Sequence, residues 1–403
     1  MGAPIYLDYA ATTPVDARVA AAMRACLTVR GTFGNPASGH AYGRAARERV
    51  ERARAQAAAL IGCPAADLIW TSGATESNNL AILGSARGAP GARGARGASG
   101  ARGAKGAEPA IRGHIVTARG EHKSVLDACR ALEREGFAVS YLLPDREGLI
   151  DPQAVRAALR ADTLLVSIMH ANNEIGVVQD IAAIAAVCHE RDIGLHVDGA
   201  QSVGRIPVDV TRLGADLFSF TAHKLYGPKG VGALYVAPAR RAALQPLLHG
   251  GGQERGVRAG TLPVHQIVGF GLACELAGAL LPAEAPRLER LCARLWRGLS
   301  GLEGALLNGH PVRRVPGILN VCFAGVEGES LLAGLTELAV SSGSACNSDS
   351  EEPSYVLRAL GRDAQLAQSS LRFSLGRATR ARDIDTAVAA VRREVRRLRA
   401  AAP

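Results

Sequence analysis

The chain has 403 residues, a mass of 41.9 kDa and a formal net charge of +10. This length is large for one hydrophobic core and predicts one large and one smaller domain. With 48% hydrophobic residues and a mean hydropathy of +0.08, the chain can bury a sizeable interior. The absence of an uninterrupted apolar run of membrane-spanning length, and of a secretion or myristoylation signal at the start, favours a soluble cytoplasmic protein without membrane contact.

Half of the net positive charge lies in one tract. Between residues 85 and 113, six basic side chains face a single glutamate, and glycine recurs at every third position from 88 to 106. The period resembles collagen, but the tract is short and contains one supporting proline, Pro90. We therefore expect a disordered basic insertion at about 86–112 and no direct nucleic-acid binding, with a contact to nucleic acid or to a sulfur acceptor as the alternative.

Hydrophobic periodicity and the positions of glycine and proline predict elements that alternate between strands and helices. In chain order they are an extended segment at 5–13, a helix at 16–27, a loop at 31–40, a helix at 44–61, a strand at 68–70, a helix from about 80, a strand at 114–117, a helix at 125–135, a strand at 138–142, a helix from 152, a strand at 163–169, a helix at 181–191 and strands at 194–197 and 217–220. This order predicts an α/β fold with a mostly parallel sheet flanked by helices.

Small polar residues at 71–79 connect the strand at 68–70 to the following helix. A strand, a turn and a helix start present free backbone N–H groups and the positive end of the helix dipole, which together bind phosphate. Serine and threonine also cap ordinary helices. A phosphate site and a plain helix cap are therefore both open at this point.

Two apolar runs end in polar residues, one at Asp198 and one just before Lys224. In open α/β sheets, ligands bind in the crevice at the carboxyl ends of the strands. A buried carboxylate needs a cation such as a protonated pyridine nitrogen, and a lysine that loses its charge by burial can form a Schiff base. The pair fits pyridoxal phosphate, and a structural ion pair fits it equally well.

Two further residues stand in reactive contexts. His122 follows the strand at 114–117 and precedes a helix, and its position is the only argument for a role. Cys346 differs from the other seven cysteines because its surroundings, 341–350, are polar and rich in serine, which predicts an exposed loop. A reactive and a structural thiol are both open for Cys346, while the others read as buried hydrophobes, and no cysteine or histidine spacing predicts a metal site.

The motifs together resemble those of the cysteine desulfurases, which belong to the class V aminotransferase group of fold-type I pyridoxal-phosphate enzymes. The resemblance extends from residue 5 to about residue 399. The form Ser341-Ser342-Gly343-Ser344-Ala345-Cys346 resembles the housekeeping branch that supplies iron–sulfur clusters and tRNA thiolation. The matching segments are 6–14, 71–79, 121–123, 172–176, 198–201, 221–227, 250–256, 260–263 and 341–346.

This resemblance implies a role for each matching residue. Lys224 would form the Schiff base with the cofactor, Asp198 would pair with its pyridine nitrogen, and His122 would stack on the ring and move protons. The other cofactor-binding residues would be Gln201 at the phenolic oxygen, Asn173, and the phosphate-binding set Ala74, Thr75, Thr221 and His223, joined by Thr261 from the other subunit of a homodimer. Substrate carboxylate would be bound by Asn173 and Arg372 with Asn35, since a guanidinium binds a carboxylate through two parallel hydrogen bonds.

The implied function is a pyridoxal 5'-phosphate-dependent cysteine desulfurase. It would convert L-cysteine to L-alanine, hold the sulfur as a persulfide on Cys346, and pass it to an iron–sulfur scaffold protein and to tRNA-thiolation acceptors. The alternatives are a selenocysteine lyase, a class V aminotransferase, which would not need Cys346, and a non-catalytic basic interaction module. The implied domains are a large cofactor-binding domain at 15–262 and a smaller α+β domain formed by 1–14 and 263–403.

Overall fold

The computed structural model describes residues 3–89, 112–342 and 352–401. Most of the predicted basic insertion, residues 90–111, and most of the predicted loop with Cys346, residues 343–350, lie outside these residues. The first two residues of that predicted loop, Ser341 and Ser342, instead form a short strand. The part of the insertion predicted at 86–88 is instead helical, because the helix that starts at Ala74 continues to Gly88.

The described strands and helices follow the predicted order with a few additions. The strands are β1 (Ile5–Tyr6), β2 (Leu68–Thr71), β3 (His114–Ala118), β4 (Ala138–Leu142), β5 (Thr163–Met169), β6 (Gly194–Asp198), β7 (Leu217–Thr221), β8 (Gly232–Val236), β9 (Ala305–Leu307), β10 (Ile318–Phe323), β11 (Leu338–Ala339), β12 (Ser341–Ser342) and β13 (Ser370–Ser374). The helices are α1 (Ala17–Arg24), α2 (Ala41–Ile61), α3 (Ala74–Gly88), α4 (Lys123–Arg134), α5 (Pro152–Ala158), α6 (Ile181–His189), α7 (Val210–Leu213), α8 (Pro238–Arg241), α9 (Val264–Leu299), α10 (Gly328–Gly334), α11 (Tyr355–Ala359), α12 (Ala364–Gln368) and α13 (Ala381–Ala401).

Within the described ranges, the largest sheet has seven strands in the order β2-β8-β7-β6-β5-β3-β4. Strands β4, β3, β5, β6 and β7 are parallel neighbours, which confirms the predicted α/β class. Strand β8 is antiparallel to both β7 and β2. Its orientation follows from the connection after β7, since residues 222–231 are too few for the helical crossover that a parallel neighbour needs.

Apolar side chains cover both faces of this sheet. Ile69, Leu217 and Leu234 pack with α3 and α4 on one face. Trp70 and Phe218 lie in a second cluster on the other face, together with residues of α2 and the first half of α9. Burial on both faces explains why these strands read as nearly continuous apolar runs in the sequence.

A second group of elements surrounds a four-stranded sheet of order β12-β13-β10-β9, whose described neighbours are antiparallel. Its core contains Leu319, Phe373 and residues of α13, and it also includes Leu7 from the start of the chain. Strand β1 pairs with β11, and Asp8 forms a bridge with Ser374. The first residues of the chain therefore pack with its last third.

Helix α9 belongs to both cores. Its residues from Val264 to Ala277 are in the core of the large sheet, and those from Leu288 to Leu299 are in the core of the small one. Pro282 lies between these parts and removes a backbone hydrogen bond from the helix. The predicted division into domains at 262/263 stays a prediction.

The same helix is long and apolar enough to cross a membrane by length and composition. Half of its most apolar window is buried inside the structure, where the helix packs along α1 and α2. We interpret it as the core helix of a soluble protein, since an apolar helix buried among other elements satisfies the same criterion.

A buried histidine predicts how stability depends on pH. His196, on β6, is fully buried between Ser167 Oγ, 2.8 Å from its Nδ1, and Ser219 Oγ, 2.9 Å from its Nε2. Burial lowers the pKa of His196 to about 4. The unfolded chain therefore binds the proton first, so this histidine's contribution is fully present above about pH 6.5 and is lost as the pH falls towards 4.

We expect His196→Gln to reduce the free energy of unfolding at about pH 7.5. Between about pH 7.5 and about pH 5, the variant should lose less of this free energy than the wild type loses, by on the order of 2 kcal/mol. Urea unfolding at both pH values measures the change. His249→Gln, at an exposed position, should keep the wild-type slope. If the free energy of unfolding of His196→Gln depended on pH as that of the wild type does, the pKa of this imidazole would not differ between the folded and unfolded states.

Candidate active site

A cavity of about 520 Å³ lies at the carboxyl ends of β5, β6 and β7, beside the start of α3. It is the crevice in which open α/β sheets bind ligands. Most of the predicted site residues line it: Ala74, Thr75, His122, Asn173, Asp198, Gln201, Thr221, His223, Lys224 and Arg372.

Three predicted residues are not among the lining residues. Asn35 is exposed, and its side-chain oxygen accepts a hydrogen bond from the N–H of Ala37 at 3.0 Å. Thr261 is also exposed. Cys346 lies outside the described residues. The roles of these three residues stay predictions.

Asp198 ends β6 and is 5% exposed. Its Oδ2 accepts a hydrogen bond from Asn78 Nδ2 at 2.7 Å, and its Oδ1 accepts one from the N–H of Ala200 at 2.9 Å. Both partners are neutral donors. A buried carboxylate held in this way is oriented but not neutralised, and it favours a bound cation.

His122 is the N-cap of α4. Its Nδ1 accepts a hydrogen bond from the N–H of Ser124 at 3.1 Å and lies 2.8 Å from Ser124 Oγ. Ser124 Oγ is in turn 2.8 Å from Asn78 Nδ2. A short chain of side chains therefore connects the two predicted site residues His122 and Asp198.

Lys224 follows β7 in a short 3-10 turn, Ala222–Lys224. Its Nζ donates to the carbonyl oxygen of Ala11 at 2.8 Å and also to that of Ala10. The neighbouring His223 has a pKa lowered to about 4, first by burial and then by the positive charges of Lys224 and Lys229. His223 is therefore neutral at physiological pH.

The start of α3 forms a cradle for an anion. Gly73 precedes the helix with φ of +156°, a conformation that favours glycine, and the first turn presents its N–H groups to the cavity. Gly232 allows the approach, because a Cβ at that position would lie 2.6 Å from Gly73 Cα. Glu76 also lines the cavity, but Arg258 Nε donates to it at 2.9 Å and so neutralises its charge.

The loop that carries Thr261 is held by a buried ion pair. The carboxylate of Glu254 accepts two hydrogen bonds from Arg54, both at 2.8 Å, and one from the N–H of Trp70 at 2.7 Å. Glu254 and the next residue, Arg255, have positive φ values of 47° and 59°. Such backbone is strained without glycine, and the ion pair explains how the loop keeps it.

Arg372, on β13, reaches the cavity from the small sheet and is 1% exposed. Its Nη2 donates to Asp8 Oδ1 at 2.7 Å and to Ser341 Oγ at 3.2 Å, and its Nη1 donates to the carbonyl oxygen of Asn173 at 2.9 Å. These contacts fix the guanidinium plane at the edge of the cavity.

Two buried carboxyl groups lie behind the cavity. Burial raises the pKa of Glu121 well above its usual range, and its Oε1 accepts a hydrogen bond from the N–H of Met169 at 2.7 Å. Burial also raises the pKa of Glu174 to about 7, against the opposing effects of Ser354, Arg372 and His122. Glu121 therefore takes up a proton at higher pH than an exposed glutamate does, and Glu174 titrates near neutral pH.

The cavity fits pyridoxal phosphate by the chemistry of its donors and acceptors. Asp198 offers an unneutralised buried carboxylate for a pyridinium, Lys224 offers an amine, and the start of α3 offers N–H groups for a phosphate. In the described part of the chain, two buried oxygens in the lining residues have no hydrogen-bond partner, Asn173 Oδ1 and Gln201 Oε1. Buried polar atoms of this kind mark the position of a polar ligand.

Sequence reasoning did not assign a role to Asp8, Asn78, Ser124 or Arg258. Asp8 and Asn78 lie in the motifs at 6–14 and 71–79, but their partners are far away in the chain. The signal that could have found them is residue type, since an aspartate and an asparagine inside apolar or small-residue segments need polar partners when buried.

Comparisons with known proteins agree with this site. The model of the aminotransferase class-V family matches residues 5–94 and 101–387. Cysteine desulfurase IscS of Pectobacterium atrosepticum is 55% identical over 404 residues, which cover 100% of this chain and 95% of the relative. Among solved structures, a NifS-like protein has a TM-score of 0.84 and 33% identity, with 98% of this chain and 99% of that one covered. SspA in complex with cysteine has a TM-score of 0.78 and 36% identity, with 92% and 98% covered.

The fold and the cavity thus define a pyridoxal-phosphate-dependent enzyme of fold type I. Within that class, the chain belongs to the aminotransferase class-V family.

The contact between Gly232 and Gly73 predicts a loss of cofactor affinity. We expect Gly232→Ala to push the start of α3 away from β8 and to raise the dissociation constant of pyridoxal phosphate about 10-fold or more, equivalent to about 1.4 kcal/mol. Titration of cofactor-free protein, followed by visible absorbance, measures this constant. Gly278→Ala is the matched control and should bind the cofactor as the wild type does. Gly278 is exposed on α9, and a Cβ there would lie 3.4 Å from the nearest side-chain atom.

Proposed function

We propose that the protein is a cysteine desulfurase that converts L-cysteine to L-alanine and holds the released sulfur as a persulfide on Cys346. The support is the identity with cysteine desulfurases over the whole chain. The similarity to SspA in complex with cysteine supports the same substrate.

The observation that carries the role of Cys346 is the position of the residues on either side of its segment. Before it, Ser341 pairs with Arg372 in the small sheet and accepts a hydrogen bond from its guanidinium. After it, Ser354 Oγ donates to Glu174 Oε2 at 2.5 Å, next to Asn173. Cys346 is five positions after Ser341, so their Cα atoms are at most about 18 Å apart. The thiol is thus tethered within reach of the cavity.

The reaction balances without a further reactant. The Cys346 thiolate attacks the substrate sulfur, the bond between that sulfur and Cβ breaks, and a sulfur–sulfur bond forms. The carbon gains a proton and becomes the methyl group of alanine, while the two sulfurs become a persulfide. When bound, pyridoxal phosphate withdraws the electrons of the Cα–H bond, which makes this carbon–sulfur cleavage possible.

The residues of the cavity would have different roles in this reaction. Asp198 would keep a proton on the pyridine nitrogen, and Lys224 would bind the cofactor and exchange protons with the substrate. Arg372 and Asn173 would bind the substrate carboxylate, and His122 would lie on the cofactor ring and provide a proton at Nε2. His223 is neutral, so it would contact the phosphate as a hydrogen-bonding group and not as a cation.

The wider role we propose is cytoplasmic sulfur supply. An iron–sulfur scaffold protein and tRNA-thiolation proteins would receive the persulfide sulfur, as expected of a relative of IscS. The sulfur leaves by thiol–persulfide exchange, so an acceptor must present its own thiol or an equivalent nucleophile.

The active unit we propose is a homodimer. Thr261 is exposed and does not line the cavity of its own chain. The large apolar side chains of Phe33 and Tyr42 are exposed and in ring contact at 5.3 Å, and Leu27 and Val29 are exposed as well. Exposed apolar side chains in contact with one another are available for a partner chain.

We expect Cys346→Ala to keep the visible absorbance of the cofactor and to reduce alanine release from L-cysteine about 100-fold or more, because the sulfur has lost its acceptor. Chromatography of alanine and colorimetric detection of sulfide measure the effect. Cys63→Ala removes a half-buried thiol outside the cavity and should be as active as the wild type. Undiminished alanine release by Cys346→Ala would remove Cys346 from the mechanism.

The homodimer proposal predicts that two inactive variants complement each other. At a cofactor concentration too low to load Thr261→Ala, neither Thr261→Ala nor Lys224→Ala should turn over L-cysteine. In a dimer of the two, one cavity would combine an intact Lys224 with an intact Thr261 from the other chain, so random pairing should restore about a quarter of the sites. Differently tagged chains produced together provide the mixed dimer. If the mixed dimer gained no activity, Thr261 would act in the site of its own chain or in neither site of the dimer.

A further inference from the structure

Asn78, on α3, is fully buried. Its side-chain nitrogen hydrogen-bonds Asp198, which has a role in the proposed reaction, and Ser124. The carboxylate of Asp198 is a hydrogen-bond acceptor only, so the amide must turn its nitrogen towards it. Both N–H groups of that nitrogen are then used, one by Asp198 Oδ2 at 2.7 Å and the other by Ser124 Oγ at 2.8 Å.

The orientation of Asn78 fixes the direction of the next hydrogen bond. Ser124 Oγ accepts from Asn78, so its own O–H is available to donate to His122 Nδ1, 2.8 Å away. The backbone N–H of Ser124 donates to the same nitrogen at 3.1 Å. Two donors therefore converge on Nδ1, which must be unprotonated, and the single proton of the neutral imidazole must be on Nε2.

The side chain of Asn78 connects two cavity residues through its nitrogen. Asn78 Oδ1 has no hydrogen-bond partner among the described residues, so the donors of the amide carry its hydrogen bonds. A buried amide whose two donors hold Ser124 and Asp198 sets these groups relative to one another and indicates a role in the site.

We propose that Asn78 and Ser124 are positioning residues that hold His122 as the neutral imidazole with its proton on Nε2, in fixed register with Asp198. The same amide holds one oxygen of Asp198, so the carboxylate and the ring are set relative to one another by three consecutive hydrogen bonds. His122 then enters the reaction as a proton donor through Nε2 rather than as an imidazolium. This inference deepens the proposed function and rests on it for the identity of the reaction.

The ring nitrogens of His122 can be observed directly in the cofactor-loaded enzyme. In protein labelled with ¹⁵N-histidine, NMR distinguishes a protonated from an unprotonated ring nitrogen, and the His122→Gln variant assigns the signals. At about pH 8 we expect the wild type to show an unprotonated Nδ1 and a protonated Nε2. Ser124→Ala removes the hydroxyl donor and keeps the backbone N–H, so its signals should move measurably towards those of a mixture of the two tautomers.

Kinetics gives a second readout. We expect Ser124→Ala to reduce kcat for alanine formation about 10-fold, part of the 10² to 10⁴ that a positioned acid or base contributes, with KM for L-cysteine within about 2-fold. Asn78→Leu, which keeps the volume but removes both donors, should show the same tautomer mixture and a larger loss of kcat. Ser124→Thr retains the hydroxyl and should restore the wild-type ring signals.

Ser300→Ala is the matched control, since it removes an exposed serine hydroxyl at the end of α9 that donates to the carbonyl oxygen of Arg297 and does not line the cavity. It should keep wild-type ring signals and kcat. If Asn78→Leu does not fold, Ser124→Ala, which lacks one oxygen atom, still tests the proposal. Wild-type tautomer signals in Ser124→Ala and in a folded Asn78→Leu would overturn it. The ring signals do not depend on turnover, so a wild type that forms no alanine would overturn the proposed function separately.

Discussion

The buried negative charge of Asp198 is the constraint on which the rest of the site depends. Its described partners are the amide of Asn78 and the N–H of Ala200, which orient the carboxylate without neutralising it. A buried carboxylate whose partners are neutral favours a bound cation. The other contacts of one flat, anionic cofactor lie around this carboxylate. They come from the ends of the parallel strands, the start of α3 and Lys224.

The parts of this site that could be predicted are those encoded by short segments. A strand that ends in Asp198, a helix start after residue 73 and a lysine after β7 each have a local signature, and the large sheet brings them together. Interactions between distant segments could not be predicted in this way. Asp8 and Arg372 are 364 positions apart, and their ion pair depends on the packing of the first residues against the small sheet. The antiparallel β8 was missed for a related reason, since its direction depends on the length of a connection and not on its own apolar pattern.

The two cores are joined at the cavity by polar contacts as well as by α9. Arg372 extends from the small sheet to the carbonyl oxygen of Asn173, and Gln201 Nε2 donates to the carbonyl oxygen of Ala10 at 2.9 Å. Each contact pairs a side chain with a backbone group, so it depends on position more than on the residue type of its partner. Small changes in how the cores pack would therefore change the spacing between Arg372 and the cavity residues of the large sheet.

The attachment of the Cys346 segment has a consequence for the proteins that receive sulfur. Since Ser341 is paired with Arg372, the Cα atom of Cys346 cannot lie more than about 18 Å from that of Ser341, and the thiol reaches beyond this limit only by the length of its own side chain. An acceptor must therefore bring its nucleophile to the rim of the crevice. A protein whose thiol lies farther than this distance behind its own docking surface could not receive the sulfur, because the segment that carries Cys346 is too short to reach it. Selection among acceptors can in this way be a matter of tether geometry, independent of affinity.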